Sequence, residues 1–466
     1  MAGLAMLVLA GLLMVGTGLP AFVVLLGVSV LAAAVGLATG TLDWALLGAL
    51  PPRLVGLLDN DLLQALPLYV LMAALLDRLP VAGLLFRALG RVLGAPALAA
   101  VGVGAMVAPM NGSVGAGVAA LSRAVHPRLV AAGVPAPRSL AVVCVASTLG
   151  VVVPPSLVLI LLGDAMMRAH TEALNATGAL ERIVNTQDVF RGALGPAGLL
   201  LALVMLAAWW GGRGARPEAE RLDRRAWAVA VATALALVGL LGVVAAGRLY
   251  AVEAAASGAV ALAVAGLASG HLDRAGLRAV LDHTMAVSGA LFALFVAATT
   301  FTLLLRGFGT DRVVADLVAA LPGGAAGAVA GVLGLVAASA FVLDAFEIVF
   351  VVVPVVMPPL LARVGDAVWV SVLTLLVLQA SFLLPPVGYA VMMGRACIRQ
   401  PVGGAALVRA LAPFLAAIAL VLALTAAFPA LVHLAQPDPT PLVAVPGAGL
   451  DQLERLAPPE WGPSDR

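Results

Sequence analysis

Two carboxylates, Asp344 and Glu347, stand within a long apolar stretch of the sequence and are the residues best suited to chemistry. Their spacing places both on one face of a helix. Ionisable groups in such surroundings are costly, and they mark ion sites, proton relays or buried pairs. We therefore predict a cation or proton site at Asp344, whereas Glu347 belongs either to that site or to a nearby membrane interface.

Each half of the chain also carries a polar break that is followed by a proline pair. The first break spans 111–115, and the pair at 154–155 follows about 42 positions later. In the second half, the break at 344–347 precedes the pair at 385–386 by a similar interval. This shared plan indicates two related halves.

The breaks matter because proline removes a backbone donor and glycine lets the chain leave helical geometry. Inside a membrane, the exposed carbonyls and helix N-termini are tolerated where they line a cavity, so paired breaks point to a binding site. Carbonyl and hydroxyl oxygens suit Na⁺, and positive helix ends suit a carboxylate. The alternative is that the proline pairs merely kink two ordinary spans and that the glycines allow close helix packing.

Polar side chains just before each proline pair add possible ligands. Ser147 and Thr148 precede the first pair, and Gln379 and Ser381 precede the second. Their oxygens could complete a sodium site. Ser and Thr hydroxyls also bond back to carbonyls of their own helix, so both interpretations stay open.

The elements that position these residues must be membrane helices. The chain is 63% hydrophobic and 11% charged, against roughly 45–50% apolar and 25% charged residues in soluble domains. The apolar runs are continuous rather than alternating. We therefore predict an all-α integral membrane fold of about 10–12 transmembrane helices with two re-entrant hairpins.

Two apolar runs are too long or too interrupted to form single spans. The run 3–38 predicts two short spans, and the run 325–362 predicts a re-entrant hairpin or a broken helix. The Arg-rich connections 77–92 and 211–226 are assigned to the cytoplasm by the positive-inside rule. The predicted organisation is a first membrane repeat over 1–210, a linker over 211–226, a second membrane repeat over 227–435 and a polar tail over 436–466.

Other features of the sequence limit the classes of function. Lysine is absent and the arginines are scattered, so no basic surface argues for nucleic acid. The sequence has no metalloprotease, Walker or Cys-x-x-Cys motif, so we expect neither an enzyme nor a cofactor. Energy must then come from an ion gradient or from another protein. The longest polar insertion, 164–191, is typical of an extramembrane loop or a short surface helix.

The order and spacing of these motifs resemble the large membrane subunit, DctM, of tripartite ATP-independent periplasmic (TRAP) transporters. The resemblance extends over about residues 18–429. It is carried by Gly18-Leu19-Pro20-Ala21-Phe22, Pro67-Leu68-Tyr69, Asn111-Gly112-Ser113, Thr148-Leu149-Gly150, Pro154-Pro155-Ser156, Gly195-Pro196, Leu343-Asp344 and Leu384-Pro385-Pro386-Val387-Gly388.

The resemblance implies an elevator-type secondary transporter of inverted repeats in the bacterial inner membrane. Such a transporter imports organic acids, for example C4-dicarboxylates or sugar acids, with Na⁺ as the coupling ion. The implied partners are a small four-helix membrane subunit and a periplasmic substrate-binding protein. The alternative is a stand-alone Na⁺- or H⁺-coupled carboxylate transporter or antiporter of the same two-hairpin class.

The breaks and the resemblance together define a set of candidate substrate- and ion-binding residues. They are Asn111, Gly112, Ser113, Gly115, Ser147, Thr148, Gly150, Pro154, Pro155, Ser156, Asp344, Glu347, Ser381, Pro385, Pro386 and Gly388. The sodium candidates among them are Ser113, Thr148, Asp344 and Gly388.

Overall fold

The computed structural model describes the chain with several short gaps. The described residues are 2–59, 61–111, 113–154, 156–179, 181–212, 214, 222–385, 388–398 and 402–436. Across these residues the regular structure is helical. Half of the predicted linker and nearly all of the predicted tail lie outside the described residues.

The helices of the first half are α1 (Ala2–Thr17), α2 (Ala21–Ala38), α3 (Trp44–Gly48), α4 (Leu50–Leu58), α5 (Asp61–Arg78), α6 (Val81–Leu93), α7 (Pro96–Val107), α8 (Val114–Ala124), α9 (His126–Ala131), α10 (Ala136–Val152), α11 (Leu157–Thr177) and α12 (Thr186–Gly211). Those of the second half are α13 (Arg224–Ala245), α14 (Ala251–Ala268), α15 (Arg274–Gly307), α16 (Thr310–Ala319), α17 (Gly324–Ser339), α18 (Ala345–Glu347), α19 (Val353–Leu361), α20 (Ala367–Leu383), α21 (Tyr389–Cys397), α22 (Gly404–Ala427) and α23 (Ala430–His433). A 3₁₀ turn, Ala108–Met110, extends α7, and a π-helical turn, Ile348–Val352, joins α18 to α19.

The lengths of these helices suit a membrane. Within the described part of the chain, six helical segments are long and apolar enough to cross a bilayer, or seven if the bent pair Trp44–Leu58 and Leu63–Arg78 forms one span. Shorter apolar helices of 10–17 residues accompany them. The all-α membrane class is confirmed. Fewer helices than the predicted 10–12 reach spanning length, because the breaks divide apolar runs into pieces shorter than about 20 residues.

Both long apolar runs are interrupted as the sequence predicts. The run 3–38 forms α1 and α2, which are separated at Gly18-Leu19-Pro20. The run 325–362 divides into α17 and the segment from α18 to α19, with residues 340–344 between them. Since α17 packs against α19, this second run folds back as a hairpin.

Helices of each half of the chain pack against helices of the other half. We name α7 and α8, which flank the break at 111–113, the first hairpin, and α17 with the segment from α18 to α19 the second hairpin. The second arm of the first hairpin, α8, packs against α21, and the second arm of the second hairpin, α19, packs against α11. Outside this group, α5 packs along α14, and α15 packs along α2. Asp344 follows Ser113 by 231 positions, and Pro385 follows Pro154 by the same number. The equal spacing agrees with a shared plan in the two halves, and their inverted topology stays a prediction.

The segment 164–191, predicted as an extramembrane loop or a short surface helix, is largely helical, because it contains the end of α11 and the start of α12. Helix α11 continues to Thr177, and its polar part is supported by Arg168, whose Nε donates to Asp164 Oδ2 at 3.1 Å. Asn185 and Asp188 form a capping box that begins α12. The polar composition reflects ion pairing on a helix surface, which sequence polarity alone does not distinguish from a loop.

Candidate functional site

The four predicted breaks are all helix N-termini. Ser113 Oγ accepts a hydrogen bond from the N–H of Ala116 at 3.2 Å and begins α8. Ser156 Oγ accepts from the N–H of Leu159 at 3.1 Å and begins α11. The remaining two breaks begin α18 and α21. Each break therefore presents backbone N–H groups and the positive end of a helix dipole, which favour anions.

Asp344 and Glu347 cap the same helix reciprocally. The N–H of Glu347 donates to Asp344 Oδ1 at 2.9 Å, and the N–H of Asp344 donates to Glu347 Oε2 at 3.0 Å. Both side chains are half-buried. Each carboxylate keeps its second oxygen, so the capping box leaves both groups able to bind a cation.

Tyr389 connects the first and last breaks. Its hydroxyl lies over Gly115 in α8, where a Cβ atom would stand 2.7 Å from the Tyr389 oxygen. The N-termini of α8 and α21 thus meet at this contact, and α11 packs against α18.

Sequence reasoning missed Tyr389, although a signal was present. The chain has 3 tyrosines, and this one is the first residue of the helix that follows the second proline pair. A polar aromatic residue at a helix N-terminus next to such a break could have been recognised as part of the site.

Close backbone contacts explain two of the predicted glycines. A Cβ atom at Gly150 would collide with the carbonyl of Ala108 in the 3₁₀ turn, so glycine lets α10 lie against the tip of the first hairpin. At Gly388, a Cβ atom would stand 2.7 Å from the carbonyl oxygen of Phe382 and 2.8 Å from that of Leu384. Backbone carbonyls therefore crowd this break, and carbonyl oxygens are ligands that suit Na⁺.

Asn111 lies at the first break and is 7% exposed. Its backbone N–H donates to the carbonyls of Val107 and Ala108 at 3.2 and 3.1 Å. Its side-chain nitrogen lies beside Gly117 and has no hydrogen-bond partner among the described residues. An unpartnered buried amide is unfavourable, so this donor is suited to a ligand that arrives later.

The predicted hydroxyl ligands bond within their own helices. Ser147 donates to the carbonyl of Val143 at 2.8 Å, and Thr148 donates to that of Val145 at 2.9 Å. Ser381 likewise donates to its own helix, at 2.8 Å. Their oxygens still carry lone pairs, so sodium ligation stays a prediction. Gln379 differs, because it is fully buried and both amide atoms are without a partner among the described residues.

Three predicted site residues, Gly112, Pro155 and Pro386, lie outside the described residues. Their neighbours Pro154 and Pro385 are buried and half-buried, respectively, and they precede the first residues of α11 and α21 by three and four positions. The described candidate residues thus comprise four helix ends, two carboxylates, a phenol and two unpartnered amides. This composition is suited to holding an anion beside a small cation.

Comparison with known proteins identifies the family and the fold of the chain. The sequence matches a family model described as "Tripartite ATP-independent periplasmic transporter, DctM component" over residues 4–431. A comparison with curated proteins gave no match. Among solved structures, the chain is similar to the YdaH transporter of Alcanivorax borkumensis, with a TM-score of 0.60 and 18% identity, over 83% of this chain and 90% of that one. At this identity the likeness concerns the fold.

Proposed function

The chain belongs to the DctM family of tripartite ATP-independent periplasmic transporters, and from this premise we propose that it imports organic acids coupled to Na⁺. It is a multi-pass membrane protein and the permease subunit of such a system. The proposed location is the bacterial inner membrane, with the connections 77–92 and 211–226 in the cytoplasm.

The observation that carries the proposal is the contact of Tyr389, at the N-terminus of α21, with Gly115 in α8, together with the capping box of Asp344 and Glu347 at the N-terminus of α18. Helix N-termini stabilise a carboxylate through their N–H groups and dipoles. The carboxylate oxygens of Asp344 and the carbonyls near Gly388 are suited to Na⁺, whose charge would offset that of the substrate. Binding of the anion and the cation would thereby favour one another, which is the requirement for coupled transport.

The packing also supports movement of the site as a unit. Hairpin arms and broken helices of both halves pack on one another, whereas α2, α5, α14 and α15 form a separate group. We propose that the first group carries the substrate past the second. Its hairpin tips hold the ligand, since irregular backbone at membrane depth is tolerated where it lines such a cavity.

Two partners complete the proposed system, namely a small four-helix membrane subunit and a periplasmic binding protein that delivers the organic acid. To test this, the tagged chain is expressed together with its neighbouring genes and purified from membranes. We expect the small subunit to co-purify and uptake to require the binding protein. Full uptake by this chain alone would contradict the proposal and favour a stand-alone carboxylate transporter.

A further inference from the structure

A cavity of about 240 Å³ lies between the α5–α6 connection and the second arm of the first hairpin. Asp77 and Arg87 line it from one side, and Arg123 and Arg128 line it from the other. Asn111, at the hairpin tip, also lines it. The cavity therefore connects a predicted ligand-binding residue with an arginine-rich end of the molecule.

The charges around this cavity favour an anion. Three arginines and one aspartate line it. Arg123 Nη2 donates to both carboxylate oxygens of Asp77, at 2.6 and 2.7 Å. Arg128 Nη1 donates to the carbonyl of Gly83 at 2.8 Å, which holds this guanidinium at the wall of the cavity. Because Arg123 already binds the carboxylate of Asp77, its guanidinium is held in a position that suits a second carboxylate in place of the first.

The Asp77–Arg123 pair is also exchangeable. The two side chains are 44% and 61% exposed, respectively, and exposed ion pairs contribute little to stability. The pair joins α5 of one helix group to α8 of the other, so it lies where the groups separate in the proposed movement. A carboxylate that reaches the cavity from Asn111 can therefore replace Asp77 on Arg123 at small cost.

We propose that this cavity is a release site for a small organic carboxylate on the cytoplasmic side, and that Asp77 is an internal competitor that returns to Arg123 and expels it. That the carboxylate leaves toward the cytoplasm rests on the proposed function. That the cavity binds a small carboxylate through Arg123 does not depend on that function.

The test uses cysteine labelling of the full-length protein, with succinate as the probe. The exposed Cys397 is replaced by serine, whereas Cys144 is buried and can stay. Ala124, which lines the cavity and is half-buried, is replaced by cysteine. We expect an anionic methanethiosulfonate to label Ala124→Cys several-fold faster than a cationic one, after correction for intrinsic rates, and succinate to slow this labelling.

Two variants test whether the labelling preference and its protection by succinate depend on Asp77 and Arg123. Arg123→Gln should remove both the preference for the anionic reagent and the protection by succinate. Asp77→Asn should give protection at a several-fold lower succinate concentration, because the internal competitor is neutral. Ala315→Cys serves as the control, since it lines a different cavity with Arg306 and Arg312 and should respond to neither variant. Protection that persists in Arg123→Gln, or that is absent in both wild type and Asp77→Asn, would overturn the proposal.

A lipid headgroup is the other source of an anion at this position. The labelling is therefore repeated in nanodiscs of phosphatidylcholine with and without phosphatidylglycerol. Protection by succinate in pure phosphatidylcholine supports the release site. Protection by phosphatidylglycerol without any effect of succinate overturns it. Because labelling does not depend on transport, a negative result leaves the proposed function to its own test.

Discussion

Asp344 and Glu347 hold each other in place, since each backbone N–H donates to the carboxylate of the other residue, at 3.0 and 2.9 Å. This reciprocal capping explains how two acidic residues can begin a helix in an apolar run. Asp344 therefore has two roles. One of its oxygens caps α18, and in our proposal its negative charge also binds Na⁺.

Replacement of Asp344 by asparagine should separate these roles. Asparagine is as good an N-cap as aspartate, so the melting temperature without sodium should change little, whereas Asp344→Ala should cost about 0.5–2 kcal/mol. Sodium should raise the melting temperature of the wild type, because a ligand that binds the folded state stabilises it. We expect Asp344→Asn to lose this increase. An equal increase in the variant, measured against choline, would exclude Asp344 as a ligand.

A second prediction concerns the contact between Tyr389 and Gly115. In Gly115→Ala, the new Cβ would stand 2.7 Å from the Tyr389 hydroxyl, so we expect lower thermal stability and slower uptake. Tyr389→Phe removes that oxygen, and the next ring atom is 3.3 Å away. The double variant should therefore recover stability relative to Gly115→Ala.

The matched control for this pair is Gly198→Ala, because no atom lies within 4 Å of its added Cβ. It should be neutral or stabilising by about 0.5–1 kcal/mol. If Gly115→Ala melts like Gly198→Ala, the close contact with Tyr389 does not exist.

A third prediction concerns Gly150, whose added Cβ would collide with the backbone carbonyl of Ala108. A backbone obstacle cannot rotate away, so Gly150→Ala should cost at least the 1–3 kcal/mol that is typical, roughly, of an overpacked core. The measurement is the yield of monodisperse protein after extraction, compared with Ser147→Ala on the same helix. Ser147 donates within its own helix, so its variant should retain wild-type yield. Equal yields would contradict the packing of α10 on the hairpin tip.

The fourth prediction is a pH dependence at His433. Partial burial lowers the pKa of this imidazole. Its hydrogen bonds to Gln436 and Asp366, together with the charge of Asp366, raise the pKa by more than burial lowers it. The pKa of His433 therefore lies above the ordinary value of 6.5. The Nε2–Asp366 distance is 2.8 Å. Because the folded pKa is raised, the stabilisation is complete below pH 6.5 and is lost as the pH rises through the folded pKa.

Melting temperatures at about pH 6 and about pH 8 measure this effect, on either side of the window in which histidine titrates. The wild type should lose more stability between these values than His433→Gln. His283→Gln, which changes an exposed histidine on α15, provides the control and should behave as the wild type. If the melting temperature of His433→Gln changed with pH as much as that of the wild type, the His433–Asp366 pair would contribute nothing to the pH dependence of stability.

Sequence reasoning located the breaks but not the contacts between them. Pro154, Pro385 and Ser113 mark helix ends through local rules, and those rules are readable along the chain. The position of Tyr389 over Gly115 depends on how α21 packs on α8, which no local pattern encodes. The Asp344–Glu347 spacing was readable as a capping box, yet the apolar surroundings drew attention to ion binding instead.

The central claim is that Na⁺ drives uptake through the site at Asp344. The most direct measurement is organic-acid uptake into proteoliposomes that contain this chain and its small membrane subunit, with the binding protein outside. We predict uptake under an inward Na⁺ gradient, none under an equal K⁺ gradient, and loss of the Na⁺ dependence in Asp344→Asn and Ser113→Ala at unchanged protein content. Uptake that is equally fast with K⁺, or unchanged sodium dependence in both variants, would contradict it.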